Sequence, residues 1–243
     1  LITSIKNENE KKDLEIKIEN LNKELKKLKA SMRDPLETYL KQVSDARRKL
    51  LEQLRNSLNA DFPDIPNLME KLTEQSDALR FEGDGLFIKG KDIFVSQQKE
   101  DIIKQLAIRL NEILPCYTFT ATARSELKCE NPNIAIIEAV QVEGHTDSDG
   151  SYKGNIELSA TRATTTFKLM IETVPGLREF KNSKDQAVMS FAGYGPDRPI
   201  ATNNTEKEKA KNRRIDLRFI MVTPSSIAEM ETIRTKFIDL QVK

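Results

Sequence analysis

Between Leu14 and Met32 the apolar residues Leu14, Ile18, Leu21, Leu25, Leu28 and Met32 recur at spacings of 4, 3, 4, 3 and 4, with Lys and Glu filling most positions between them. That rhythm is the a/d seam of a heptad repeat, and it restricts the segment to a helix whose narrow apolar stripe faces another helix. So thin a stripe covers too little area to rest on a globular core. Asp34-Pro35-Leu36-Glu37 then reads as a fresh helix start, with Asp as N-cap, Pro in the first turn and Glu at the third position. Leu36, Leu40, Val43, Leu50, Leu54 and Leu58 continue an apolar face to about Asn59. Three and a half heptads are marginal for a stable dimer alone, so residues 1–60 are expected to form a helical coiled-coil stalk with help from the rest of the molecule. A straight run of about 45–50 helical residues would reach roughly 70 Å. Leu1-Ile2-Thr3-Ser4-Ile5 reads either as the trailing end of a membrane helix or as a frayed helix start.

Phe62-Pro63-Asp64-Ile65-Pro66-Asn67 ends the helix, because each proline pushes its predecessor out of helical geometry. Residues 61–78 are expected to be a linker with a short helix over Leu68–Ala78, and 79–243 a single globular domain. Within it, Leu79–Glu82 and Leu86–Lys89 flank Gly83-Asp84-Gly85, which suggests a hairpin. Lys99–Leu114 has Ile102, Ile103, Leu106, Leu110 and Leu114 on one helical face. Ile134–Glu143 reads as a strand, Glu157–Thr173 as a helix, Ala187–Ala192 and Arg214–Val222 as strands, and Ser225–Leu240 as a closing helix. The expected class is α+β: a β-α-β-α-β-β mixed sheet with helices on one face, behind the stalk.

Charge removes one class of partner. Lys+Arg 39 against Asp+Glu 38 leaves a net charge of +1, far from the excess that nucleic-acid binding needs. No run of about 18 apolar residues occurs. Cys116 and Cys129 have twelve residues between them, a spacing that suits a local disulfide in an oxidising space, with two unrelated reduced thiols as the alternative. A zinc site would need more ligands than these two and the lone His145.

The densest polar constellation is Gly144-His145-Thr146-Asp147-Ser148-Asp149-Gly150, directly after a buried-type strand and leading through Asn155 to a helix bearing Leu158, Ser159 and Arg162. Asp147 supplies negative charge and Arg162 a planar fork for a carboxylate, so the pair suits a ligand carrying both an ammonium and a carboxylate. A plain structural Asp–Arg tie between loop and helix is the alternative. Calcium binding fails, since His145 and Ile156 occupy the first and last places of an EF-hand loop, where acids are needed. Hydrolysis by His145 with Asp147 or Asp149 lacks a nucleophile elbow, an HExxH motif or a second histidine. No catalytic residues, metal or cofactor are expected.

Glu143-Gly144-His145-Thr146-Asp147, Asn155, Leu158-Ser159 and Arg162-Ala163, followed by Gly193-Tyr194-Gly195, Pro199, Asn203, Thr205-Glu206 and Asn212-Arg213-Arg214-Ile215, resemble the peptidoglycan-binding domain shared by OmpA, Pal and MotB. The resemblance spans about Leu79–Met221 and is specific in its second half. It implies binding of the diaminopimelate-containing stem peptide, with Asp147 and Arg162 gripping its amino and carboxylate ends. Thr146, Asn155 and Leu158 carry over as neighbours, and one of Arg213 and Arg214 as a ligand neighbour while the other supports the strand. Glu208 stands where the family commonly has Gly, and Lys209 where it has Arg. A helical stalk ahead of such a domain is similar to the B-subunits of ion-driven stators, either MotB-like in motility or ZorB-like in anti-phage defence. That likeness implies a periplasmic homodimer tethered to the inner membrane by an N-terminal helix, with a pentameric MotA/ZorA-like A-subunit as partner. A purely structural outer-membrane or wall anchor of the OmpA/Pal type, and a protein-interaction module without wall binding, are the alternatives.

Overall fold

The structure, a computed structural model, describes residues 12, 14–26, 35–65, 77–81, 86–119, 129 and 131–241. The chain divides into two compact units, Leu1–Leu40 and Lys41–Lys243. In the first, residues 14–26 are helical, with Leu14, Ile18, Leu21 and Leu25 exposed. Leu28 and Met32, the end of the expected heptad seam, lie outside the described residues.

Helix α1, Pro35–Asp61, carries the division between units within it, some way before the boundary near residue 60 expected from sequence. The physical reason is burial: Val43, Leu50, Leu51, Leu54 and Leu58 are all core residues. Each fully buried leucine contributes roughly 2 kcal/mol of apolar burial. The adjacent pair Leu50-Leu51 widens the apolar face beyond an a/d stripe, and both side chains are fully buried. At its end Asp61 accepts from Arg109 Nη2 at 2.7 Å and from Nε at 3.0 Å. That bidentate pair binds α1 to α2, Gln97–Ile113, whose Ile102, Ile103, Leu106, Ala107 and Leu110 are buried.

The sheet comprises β1 (Ala78–Phe81), β2 (Ile137–Gly144), β3 (Met189–Gly193) and β4 (Ile215–Met221), in the order β1-β4-β2-β3. β2 and β3 are parallel, joined through α3, Tyr152–Thr173; β4 runs antiparallel to both β2 and β1. A mixed α+β architecture follows, as the sequence leads one to expect. Two local differences stand out. Leu79 and Phe81 pair with Leu217 and Ile215 of β4 and not with Leu86–Lys89, where Phe87 bridges Phe94. The side chain of Arg80 also bridges to Asp216 at 3.1 Å. The proposed turn 82–85 and most of the short helix over Leu68–Ala78 lie outside the described residues; Ala78 itself opens β1. Between β3 and β4 the chain adds a helix, α4 (Glu206–Asn212), held by a reciprocal capping box between Thr205 and Glu208. The last helix, α5 (Ile227–Gln241), seats Phe237 edge-on against Phe119, with ring centroids 5.4 Å apart, beside Ile136 and Val222.

A disulfide links Cys116 and Cys129, with Cα atoms 5.3 Å apart. Closing a loop of that size stabilises by about 3 kcal/mol in a chain-entropy account. Asn131 supports the same corner, donating from Nδ2 to the Cys116 and Ala135 carbonyls at 2.9 and 2.8 Å.

What sets the position of α3 is the lack of two side chains. Gly144 and Gly193 are paired at the ends of β2 and β3. A Cβ on Gly144 would lie 2.0 Å from the Ser159 carbonyl oxygen, and one on Gly193 2.3 Å from the Ala160 nitrogen. Both obstacles are helix backbone, which cannot yield locally. Gly144→Ala and Gly193→Ala are each expected to cost about 1–3 kcal/mol, as overpacking does, and thermal denaturation of the purified chain measures this.

Candidate functional site

With α3 pressed onto the strand ends, the loop 145–150 has little freedom. The backbone N–H groups of His145 and Thr146 donate to the carbonyls of Arg214 and Gly195, each at 3.0 Å. Ser159 accepts from the Gly195 N–H at 2.8 Å, and Ser151 caps α3 by accepting from Gly154. Asn155 donates from Nδ2 to the carbonyls of Asp147 and Asp149 at 3.3 and 2.9 Å, tying the first turn of α3 back to the loop. Asp149 N–H closes a turn on Asp147 Oδ1 at 3.1 Å. Thr146 Oγ1 donates to the Asp147 carbonyl at 2.9 Å.

Asp147, Arg162, Arg213 and Arg214 are all buried. Asp147 Oδ2 accepts from Arg213 Nη1 at 2.5 Å, with the two side chains 7% and 4% exposed. Arg213 Nη2 meets Glu206 Oε1 at 2.7 Å, and Glu206, 61% exposed, also receives Lys89 Nζ at 3.1 Å. Lys209 Nζ pairs with Asp149 at 2.7 Å. Its hydrogen bond to Lys209 holds the Asp149 carboxyl below the usual carboxylate range. Lys89 and Arg213 do the same for Glu206. Arg162 donates from Nε to the Lys91 carbonyl at 2.8 Å and from Nη2 to that of Ile88 at 3.1 Å, over the Phe87 ring. The acid and the guanidinium expected to face a ligand thus have intramolecular partners: Asp147 is joined to Arg213, and Arg162 anchors the 88–91 turn. Leu158 is half-buried on α3.

Adjacent arginines divide the work. Arg213 serves the loop, whereas Arg214 turns to the sheet, donating from Nε to Asp216 at 3.0 Å and from Nη2 to the Arg198 carbonyl at 3.1 Å. Asn212 fixes the approach by accepting from the N–H groups of Ile200 and Ala201 and donating to the Ala201 carbonyl. Glu206, Lys209 and Lys89 are not among the residues expected at the site. The Thr205-to-Glu208 spacing was the available signal for the helix that carries two of them.

Behind the loop, Glu143, His145 and Asp216 place potential ligand atoms within 4.8 Å of one another. A dication there meets carboxylates already served by guanidiniums: Arg218 on Glu143 at 2.7 Å, and Arg80 and Arg214 on Asp216. The cluster lies within an ion network under the sheet end. Burial raises the Glu143 pKa, but His145 and Arg218 outweigh it and hold the group at about 2. His145 Nε2 lies 3.7 Å from Glu143 and 3.6 Å from Asp216, with its ring stacked on Tyr194. Its pKa is lowered, first by burial and then by Arg214, against the pull of both acids.

Above about 6.5 the imidazole is neutral in folded and unfolded chains alike. As pH falls below that, the unfolded chain takes up a proton that the fold resists, so stability declines until the folded-state pKa is passed. Urea denaturation between pH 7.5 and pH 5.5 is expected to show this loss, at up to about 1.4 kcal/mol per pH unit. His145→Gln should remove that component of the slope.

Residues 117–213 match the OmpA family. Motility protein B of Bacillus subtilis (strain 168) is 30% identical over 167 residues, covering 67% of this chain and 54% of that protein. The peptidoglycan-associated lipoprotein of Buchnera aphidicola subsp. Baizongia pistaciae (strain Bp) is 28% identical over 126 residues, 52% of this chain and 59% of that protein. The chain therefore spans little more than half the length of these two relatives. Among solved structures, a putative MotB-like protein from Desulfovibrio vulgaris aligns with a TM-score of 0.48 at 17% identity, over 77% of this chain and 97% of that one. The chain carries an OmpA-family domain over residues 117–213.

Proposed function

We propose that the chain is a non-catalytic peptidoglycan anchor that holds the diaminopimelate of a cell-wall stem peptide at the loop following β2. The observation that carries this reading is the Asp147–Arg213 pair: two opposite charges, nearly buried, with Asp147 on a loop locked to the first turn of α3. Such a pair suits a zwitterion, because an ammonium and a carboxylate can replace the partners with no net charge left uncompensated. In this reading Asp147 receives the ligand ammonium. Arg162 and Arg213 serve its carboxylate, and Thr146, Asn155 and Leu158 shape the surroundings. Arg214 supports β4. The peptidoglycan-associated lipoprotein among the relatives supports peptidoglycan as the partner.

The wider assignment is to the periplasmic part of a stator B-subunit. Its supports are the likeness to a motility protein B, which covers a longer stretch than the family match itself, and the heptad residues Leu14, Ile18, Leu21 and Leu25, which stand exposed on a helix. A second copy would cover that seam, giving a homodimer. An inner-membrane tether and a pentameric MotA/ZorA-like A-subunit complete the assembly in this proposal. Among the described residues no helix is long and apolar enough to cross a membrane. Anti-phage service of the ZorB type is the second form of the same architecture, suggested by the Cys116–Cys129 insert. Two periplasmic domains on one polymer would gain from an effectively intramolecular second contact.

Asp147→Asn and Arg162→Ala are each expected to cost about 2–4 kcal/mol of affinity for purified sacculi, because each leaves a charge in the site uncompensated. Co-sedimentation with sacculi measures this, and thermal denaturation checks that the variants remain folded. Retention of the double variant equal to that of the wild type excludes the site.

A further inference from the structure

Arg213 of the buried Asp147–Arg213 pair also holds an exposed carboxylate, the chemistry of one end of the proposed ligand. Arg213 is a buried guanidinium with two carboxylate partners of unequal burial: Asp147 beneath, 7% exposed, and Glu206 outside, 61% exposed. Glu206 stands at the first position of α4, where its carboxylate lies 2.7 Å from Arg213 Nη2 and 3.1 Å from Lys89 Nζ. One turn further on, Lys209 reaches across to Asp149 at 2.7 Å. α4 is therefore held over the loop by ion pairs at both Glu206 and Lys209. These two pairs join it to the two segments that frame the site, the 88–91 turn and the loop 145–150.

We propose that Glu206 is an internal occupant of the carboxylate subsite on Arg213, and that a ligand carboxylate binds by displacing it. This rests on the peptidoglycan reading above and deepens it. A ligand carboxylate that binds Arg213 Nη2 competes with Glu206, which holds that nitrogen at 2.7 Å. Glu206 can leave cheaply, since its side chain is largely in water and stays solvated when it swings away. Arg213 cannot remain buried without an anion in its place. The incoming carboxylate supplies one, so the exchange conserves charge at the guanidinium while Asp147 becomes available to the ammonium. Glu206 thereby sets a threshold: only a ligand that presents a carboxylate and an ammonium together offsets the loss of both internal contacts.

The test is isothermal titration of the full chain with the tripeptide L-alanyl-γ-D-glutamyl-diaminopimelate. Glu206→Ala and Glu206→Gln are compared with wild type and with Glu157→Ala, an equal charge change on the exposed face of α3. Removing an exposed competitor is expected to tighten binding about fivefold in both Glu206 variants and to leave Glu157→Ala at the wild-type value. Unchanged or weaker binding by the Glu206 variants, with wild type still binding, overturns the displacement mechanism while leaving the anchor intact. Equal tightening by Glu157→Ala also overturns it, since general charge would then be the cause. Failure of wild type and every variant to bind overturns the peptidoglycan reading and this inference with it.

Discussion

The backbone contact between α3 and the ends of β2 and β3 is the constraint from which the site follows. Gly144 and Gly193 are neighbours across the sheet, and each leaves room that a single methyl group would fill with an impossible contact on Ser159 or Ala160. Because the helix sits this low, its first turn meets the loop that leaves β2. Asn155 can then reach the Asp147 and Asp149 carbonyls, and Ser159 the Gly195 N–H. A helix standing further off would forfeit these bonds, and the loop would lose the scaffold that aims Asp147 at Arg213.

Charge compensation is the second layer, and it runs on both sides of the strand ends. On the loop side, Asp147, Arg213, Glu206 and Lys89 form an alternating chain from interior to solvent. On the other side, Asp216 and Glu143 are served by Arg80, Arg214 and Arg218 around a neutral His145. Because Arg213 and Arg214 are consecutive at the start of an extended segment, one feeds each network. The two networks are thus distinct: the inner one is buried at the sheet end, and the outer one runs out to solvent at Glu206 and Lys89.

Much of the strand–loop–helix setting of the candidate site was legible in sequence because its parts are local. A strand ending in Gly-His-Thr-Asp, a loop, and a helix bearing Asn155 and Arg162 are contiguous, and helical periodicity puts Asn155, Ser159 and Arg162 on one buried face. The partner of β1 was not legible, because Leu79 and Phe81 pair with residues far along the chain and short-range turn signals favoured a hairpin that the pairing does not follow. The division within α1 was hidden by an apolar rhythm that runs on from the heptad segment, although Leu50-Leu51 side by side marks a face too wide for a coiled-coil seam. Which arginine of the pair faces the loop depends on strand register. So does the place of Glu206, whose helix required reading Thr205 and Glu208 as a capping box.

The most direct test of the account is an amide-resonance titration of the folded chain with a diaminopimelate tripeptide. Shifts concentrated at 145–149, at the first turns of α3 and at 206–213 would agree with a ligand seated between Asp147 and Arg213. A response confined to another surface, such as the cleft lined by Asp45, Lys49, Tyr117 and Asn131 beside the disulfide, or no response at saturating peptide, would contradict it.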